Sequence, residues 1–226
     1  MSVNGNLIAV ADIMKSVSIV QYTRGRAGGP DKLVEIARHF SIAWSTAVTC
    51  VDDDTYLESD AEGNLQVLRR NVSGVTEDDR RRLEVTSEMQ LGEMVNRIRP
   101  IKVPTTPDDV IIPKAFMATV EGSIYLFGLI SQDKQDFLMR LQSSVAEHVS
   151  APGEESISSP GSIPFNTYRA FRNAVREGEE PFRFVDGELV EKFLDCKPDV
   201  QAKIVEGLGA QLEDVKTIVE GLRRLH

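Results

Sequence analysis

The chain has 226 residues, 41% of them hydrophobic, which is enough for one large domain or two small ones with a sizeable core. Its formal charge is −9, with 14 basic against 18 acidic residues up to position 130 and 12 against 17 after it. Neither half is a basic module, which argues against a strong direct grip on nucleic-acid phosphates, and a charge of this kind serves solubility.

Taken in chain order, residues 7–10 are apolar, 11–15 form a turn and 16–22 are apolar again, a first hairpin written LIAVADIMKSVSIVQY. The loop RGRAGGP separates it from residues 32–37, which continue as a strand or a short helix. Residues 47–51 predict a strand, 52–54 a turn and 55–59 another strand. Asp60-Ala61-Glu62-Gly63 then turns into 64–69, giving TYLESDAEGNLQVLRR. Residues 71–82 are polar and loop-like, 85–90 and 94–98 return to strand, and prolines make 99–109 a loop. AFMATVEGSIYLFGLI closes the series, two runs rich in Val, Ile, Phe and Tyr joined at Glu121-Gly122.

Three of these lines share one plan of strand, tight polar turn and strand. They begin at Leu7, Thr55 and Ala115, 48 and 60 residues apart, and two of them follow a further strand, STAVTCV and MVNRIRP. Short antiparallel strands recurring at this period mark β-propeller blades. The unequal spacing and the lack of a Trp-Asp dipeptide leave a plain meander or sandwich as the alternative.

After residue 130 the period becomes helical. Phe137, Leu138, Leu141, Val145 and Val149 form a stripe, with Ser131 or Asp133 as N-cap. Residues 150–164 read as a flexible loop by their Ser, Pro and Gly content, and Phe165, Tyr168, Phe171 and Val175 as a second, short helix. Residues 187–196 predict a third helix burying Leu189, Val190, Phe193 and Leu194. A fourth over 200–208 stops at Gly207/Gly209, and a last one carries Leu212, Val215, Ile218, Val219, Leu222 and Leu225 on one face. The expected organisation is propeller blades over 1–130 and a small helical domain over 131–226 that docks on the β part.

Candidate chemistry is sparse. Asp52-Asp53-Asp54 places three adjacent acids between strands, the pattern of a turn rather than the alternate-position carboxylates of a calcium loop. His39, His148 and His226 have no ligand partners at metal spacing, and Cys50 and Cys196 are read as two buried, reduced thiols of an intracellular protein. The chain shows no GxSxG, P-loop or GxGxxG. Glu154-Glu155 and Glu179-Glu180 read as solvated loop charge, and Arg223-Arg224 suits a helix C-terminus. The sequence therefore predicts a non-enzyme with no metal and no cofactor. No apolar run approaches the ~20 residues of a membrane span, and no basic region precedes the first apolar run as in a signal peptide, so nothing addresses the chain beyond cytosol or nucleus.

Topology singles out one surface. In a four-stranded blade the innermost strand starts at the face that carries the turn between the second and third strands. Trp44 precedes one innermost strand and Asn96 begins the next, while Met14, Lys15 and Val120 fall in second-to-third-strand turns. These five residues are predicted to share a face, and Trp is the type most enriched where binding energy concentrates. The competing assignment makes Trp44 a core residue and Asn96 a turn residue.

The segment FVDGELVEKFLD, followed by short helices, resembles the C-terminal region of a large propeller family of damage-specific DNA-binding, polyadenylation-specificity and spliceosomal subunits. ADIMKSVSIVQY, LGEMVNRI and TVEGSIYLF match in the same order. IARHFSIAWSTAVTCVDDDTYLESDAEGNL and the ending VEGLRRLH resemble the damage-specific DNA-binding branch most. That resemblance implies a non-catalytic adaptor of cullin-RING ubiquitin ligases, nuclear and cytoplasmic, serving DNA repair and protein turnover. It implies three propellers, one binding the cullin and two forming a cleft for a helix of a WD40-type substrate receptor, with nucleic acid engaged only indirectly and no membrane. Met14, Lys15, Trp44, Asn96 and Val120 match positions lining that cleft. The polyadenylation and splicing branches imply instead a subunit of an mRNA-processing complex associated with nucleic acid. The matched region holds only the last blades of one propeller plus the helices. It is therefore expected to leave an apolar face and strand edges open, and not to bridge ligase and receptor by itself.

Overall fold

In the computed structural model, residues 1–26, 28–106, 109–149, 169 and 182–225 are described. Strands β1 (Ser2–Asn4), β2 (Leu7–Asp12), β3 (Ser16–Thr23) and β4 (Lys32–Arg38) make a first antiparallel sheet in sequential order. Strands β5 (Ser45–Asp52), β6 (Thr55–Asp60), β7 (Asn64–Arg70) and β8 (Leu83–Gln90) make a second on the same plan. The third holds β9 (Val95–Pro100), β10 (Ile111–Thr119) and β11 (Ile124–Ile130). Strands β1, β5 and β9 lie side by side, with β5 between the other two. Three sequentially wound sheets packed face to face, their first strands adjacent, are propeller blades.

The second blade explains why its strands read as almost unbroken apolar runs. It buries both faces, and successive side chains alternate between them. Val48, Tyr56, Leu68 and Leu83 pack on Ala9, Val17, Ile19 and Ala37 of the first blade. Ala47, Val51, Leu57, Leu65 and Val67 pack on Val95, Ile98, Ala115, Met117 and Phe127 of the third. A bulge between Ser45 and Ala47 breaks the alternation at the start of β5. It lets Ser45 face Glu58 while Thr46 reaches across to donate to the Val95 carbonyl at 2.6 Å.

Four helices follow Ile130 among the described residues: α2 (Gln135–Val149), α3 (Gly187–Asp195), α4 (Pro198–Leu208) and α5 (Leu212–Arg223). They share a core of Leu138, Leu141, Val145, Val190, Phe193, Ile204, Val215 and Val219, against which Val110, Ile111 and Ile130 of the third blade pack. Polar contacts tie the two parts. Asp186 caps α3 at the Leu189 amide, takes the Arg169 guanidinium at 3.0 Å and donates its own N–H to Gln142 Oε1 at 2.6 Å. Arg169 in turn donates to the Leu91 carbonyl at the end of the second blade. At the end of α4, Gly209 takes the left-handed conformation, φ 65°, that glycine adopts without steric cost.

Several expectations shift. Residues 32–37 are strand, in β4. The 71–82 stretch holds a short helix, α1 (Glu77–Arg80), held by a reciprocal Thr76–Asp79 capping box. Helix α2 starts at Gln135, too late for Ser131 or Asp133 to be its N-cap, and Ser131 instead accepts the Lys134 amide through its carbonyl. Helix α4 starts at Pro198, in the first turn where its missing N–H costs nothing. Gly207 lies inside it. Both cysteines are free but only partly buried. The side chain of Val149, the 150–164 loop, the helix predicted from Phe165 to Val175 apart from Arg169, and the glutamate pairs at 154–155 and 179–180 lie outside the described residues.

Candidate partner-binding surface

A chain of hydrogen bonds runs along one end of the three blades, and each candidate residue sits beside it. Ser16, next to Lys15, donates to Glu58, which also accepts Ser45, the neighbour of Trp44. The Trp44 carbonyl accepts the Ala61 amide at 2.9 Å, so Trp44 lies beside the β6–β7 turn. Thr46 and Ser59 both donate to the Val95 carbonyl, joining the start of β5 to the start of β9 next to Asn96. The Val120 amide donates to the Met94 carbonyl at 3.0 Å. The structure thus brings Met14, Lys15, Trp44, Asn96 and Val120 to one end of the blades.

All five are exposed, Met14 at 77%, Trp44 at 60% and Val120 at 55% among them. Trp44 is no core residue. Ile13 and Ile42, also open to solvent, lie in the same connections. The sequence reading missed both. The available signal was their position, one residue from Met14 and two from Trp44, since an apolar residue type by itself points inward. Ile13, Met14, Ile42, Trp44 and Val120 thus gather large exposed apolar groups at one end rather than scattering them.

Acid side chains hold the turns that carry these residues. Asp12 Oδ1 accepts the Met14 amide at 2.7 Å and the Lys15 amide at 2.9 Å, and these bonds keep its carboxyl below the usual range. Asp60 organises the β6–β7 turn by accepting the Glu62 and Asn64 amides and the Asn64 side chain, although burial pushes its carboxyl up. Gly63 in this turn has φ 81°, and a Cβ there would meet the Glu93 amide at 3.1 Å. In the third blade Glu93 accepts the Thr119 and Tyr125 hydroxyls, each at 2.7 Å, which lowers its carboxyl, and so fixes the turn bearing Val120.

Among the described residues no three His, Cys, Asp or Glu side chains gather as a metal site would need. Burial raises the thiol pKa at both Cys50 and Cys196, the reverse of an activated nucleophile. The Asp52-Asp53-Asp54 stretch forms the β5–β6 turn, with Asp52 facing Lys114 at 3.9 Å and Asp54 facing Arg70 at 3.7 Å. No described helix is long and apolar enough to cross a membrane.

Fold and surface together define a β-propeller protein that presents one end of its blades, followed by a helical core. The chain belongs to the family described as CPSF A subunit region, which it matches over residues 1–195. It is 35% identical over 225 residues to DNA damage-binding protein 1a of Arabidopsis thaliana, covering 98% of this chain and 20% of that protein. Against DNA damage-binding protein 1 of Drosophila melanogaster the identity is 32% over 239 residues, covering 98% and 20%. Against that of Schizosaccharomyces pombe it is 28% over 233 residues, covering 100% and 20%. The chain spans about a fifth of the length of these relatives.

Proposed function

We propose that this chain is the receptor-facing part of a non-catalytic adaptor that links WD40-type substrate receptors to a cullin-RING ubiquitin ligase in DNA repair and protein turnover. The observation carrying this reading is the exposed Trp44 on a blade end that also bears Met14, Lys15, Asn96 and Val120. Such an end suits the apolar side of a receptor helix. Cullin contact belongs to propellers outside this chain. In this reading residues 1–130 are a blade domain, 131–226 a helical domain, and the protein works in nucleus and cytoplasm. Affinity capture of the tagged protein with identification of what accompanies it is the test. A cullin and WD40 receptors are the expected company; recovery of cleavage, polyadenylation or splicing factors in their place overturns the proposal.

A further inference from the structure

Beneath the blade end lies a buried polar cluster that the binding reading does not use. Glu58, on β6, is 1% exposed and sits on the face of the second blade that packs against the first. Tyr56, two residues earlier on the same face, packs in the apolar core between the two blades. A carboxylate taken from water there is costly unless it is paired and hydrogen-bonded, and an apolar side chain of similar volume would suit the packing better. The acid instead gathers three separate segments. Its Oε1 accepts the Ser16 hydroxyl at 3.2 Å and also the Ser45 hydroxyl, while Oε2 faces His39 Nδ1 at 3.6 Å. Ser16 Oγ lies 3.0 Å from the same imidazole nitrogen. A serine hydroxyl has one proton, and Ser16 gives it to Glu58, so the proton between Ser16 and His39 is the one on Nδ1. The order is His39 to Ser16 to Glu58, with Ser45 donating from the other side.

Ser16 adds a second observation. Its backbone has φ 63°, the left-handed region that a non-glycine residue occupies at a cost and keeps only where its surroundings impose it. Glycine would adopt this conformation freely. A serine there uses its hydroxyl, which is fully buried in the cluster.

All three partners of Glu58 adjoin the exposed surface. Ser16 follows Lys15, His39 opens the connection that carries Ile42 and Trp44, and Ser45 follows Trp44. We infer that Glu58 is a positioning residue for the partner-binding face: it locks the β2–β3 turn to the β4–β5 connection and so sets Met14 and Lys15 in register with Trp44. This rests on the reading of that end as the receptor site. The tie joins two blades, so it fixes a relation that neither hairpin holds by itself.

The test uses Ser16→Gly and Ser45→Ala, singly and together, in the 226-residue chain, with Glu58→Gln as the conservative variant. Ser16→Gly removes the hydroxyl while leaving the backbone unstrained, so the fold is retained. Amide hydrogen exchange reads the tie at Met14 and Lys15, whose amides bond Asp12, and at Ala61, whose amide bonds the Trp44 carbonyl. Losing one hydrogen bond to a carboxylate should speed exchange at these amides by about tenfold, while amides inside β6 and β7 stay protected. Glu58→Gln keeps one oxygen for the serines and should show a smaller change. Unchanged exchange at the three amides, or a uniform rise through the blades, overturns the positioning role. Binding of a WD40-type receptor is measured in parallel, for the wild type, the same serine changes and Trp44→Ala, in protein that carries the remaining propellers. Local exchange that rises with receptor affinity lowered confirms the role. Receptor affinity indifferent to both the serine changes and Trp44→Ala rejects the reading of the face, separately from the exchange result.

Discussion

Phe193, fully buried between α3 and its neighbours, shows what single side chains contribute. Phe193→Ala should cost roughly 3–5 kcal/mol in denaturant unfolding of the helical part, and a loss under about 1 kcal/mol would contradict its place in that core. Glu93 gives a residue-scale pH dependence. Its carboxyl is lowered by the Thr119 hydroxyl first, then by Tyr125 and Ser123. A group whose folded pKa is depressed contributes stability that is present above the unfolded value, ordinarily 4.5, and is lost as pH falls through the folded one. The β10–β11 turn should therefore loosen on acidification from that value downward, seen as faster exchange of the Ser123 amide, which bonds Thr119 Oγ1 at 3.0 Å. Exchange at Ser123 that follows only the intrinsic acid dependence would show that Glu93 does not hold the turn. At this scale the sequence was least informative. Glu58 lies in TYLESD, where an acid near a polar turn reads as exposed, and only packing on both faces of the second blade buries it. Trp44 is the converse case, since residue type cannot tell an outward Trp from an inward one.

Elements were legible wherever pattern and turn chemistry agreed. The three hairpins stood out because apolar runs flank Asp60–Gly63 and Glu121-Gly122, and the structure pairs them as read. Strand β1 went unread because it has three residues, Ser2, Val3 and Asn4, and exists only through pairing with Leu7, Ile8 and Ala9. Helix α1 was missed although its capping signal, Thr76 followed three residues later by Asp79, was present, because no apolar periodicity accompanies it. The start of α3 supports a prediction at this scale. Asp186 caps the Leu189 amide and pairs with Arg169, whose side chain is 11% exposed. Asp186→Ala breaks a largely buried pair together with a cap and should destabilise by about 3 kcal/mol, whereas Asp186→Asn, which retains a capping oxygen, should lose less. Equal losses in thermal unfolding of the two variants would show that the charge contributes nothing.

For the whole molecule, strands up to Ile130 and helices from Gln135 were legible from the change of hydrophobic period alone, whereas the packing of helical residues on Val110, Ile111 and Ile130 was expected only in outline. The second blade buries both faces; the first leaves Val3, Leu33 and Val34 exposed and the third Phe116 and Ile124. The isolated 226-residue chain should therefore self-associate in sedimentation, and a clean monomer at high concentration would mean that these faces are less adhesive than their composition suggests. With a formal charge of −9 it should show no specific affinity for damaged or undamaged duplex DNA at physiological salt; tight, salt-sensitive binding would overturn the charge argument. The central claim is that the blade end around Trp44 takes a receptor, and the affinity of the Trp44→Ala variant for a WD40-type receptor, measured in protein carrying the remaining propellers, tests it most directly. The account predicts a loss of roughly 2 kcal/mol or more, about 30-fold in Kd, with thermal unfolding unchanged because Trp44 is exposed. Unaltered affinity in a folded variant, or global unfolding, would contradict it.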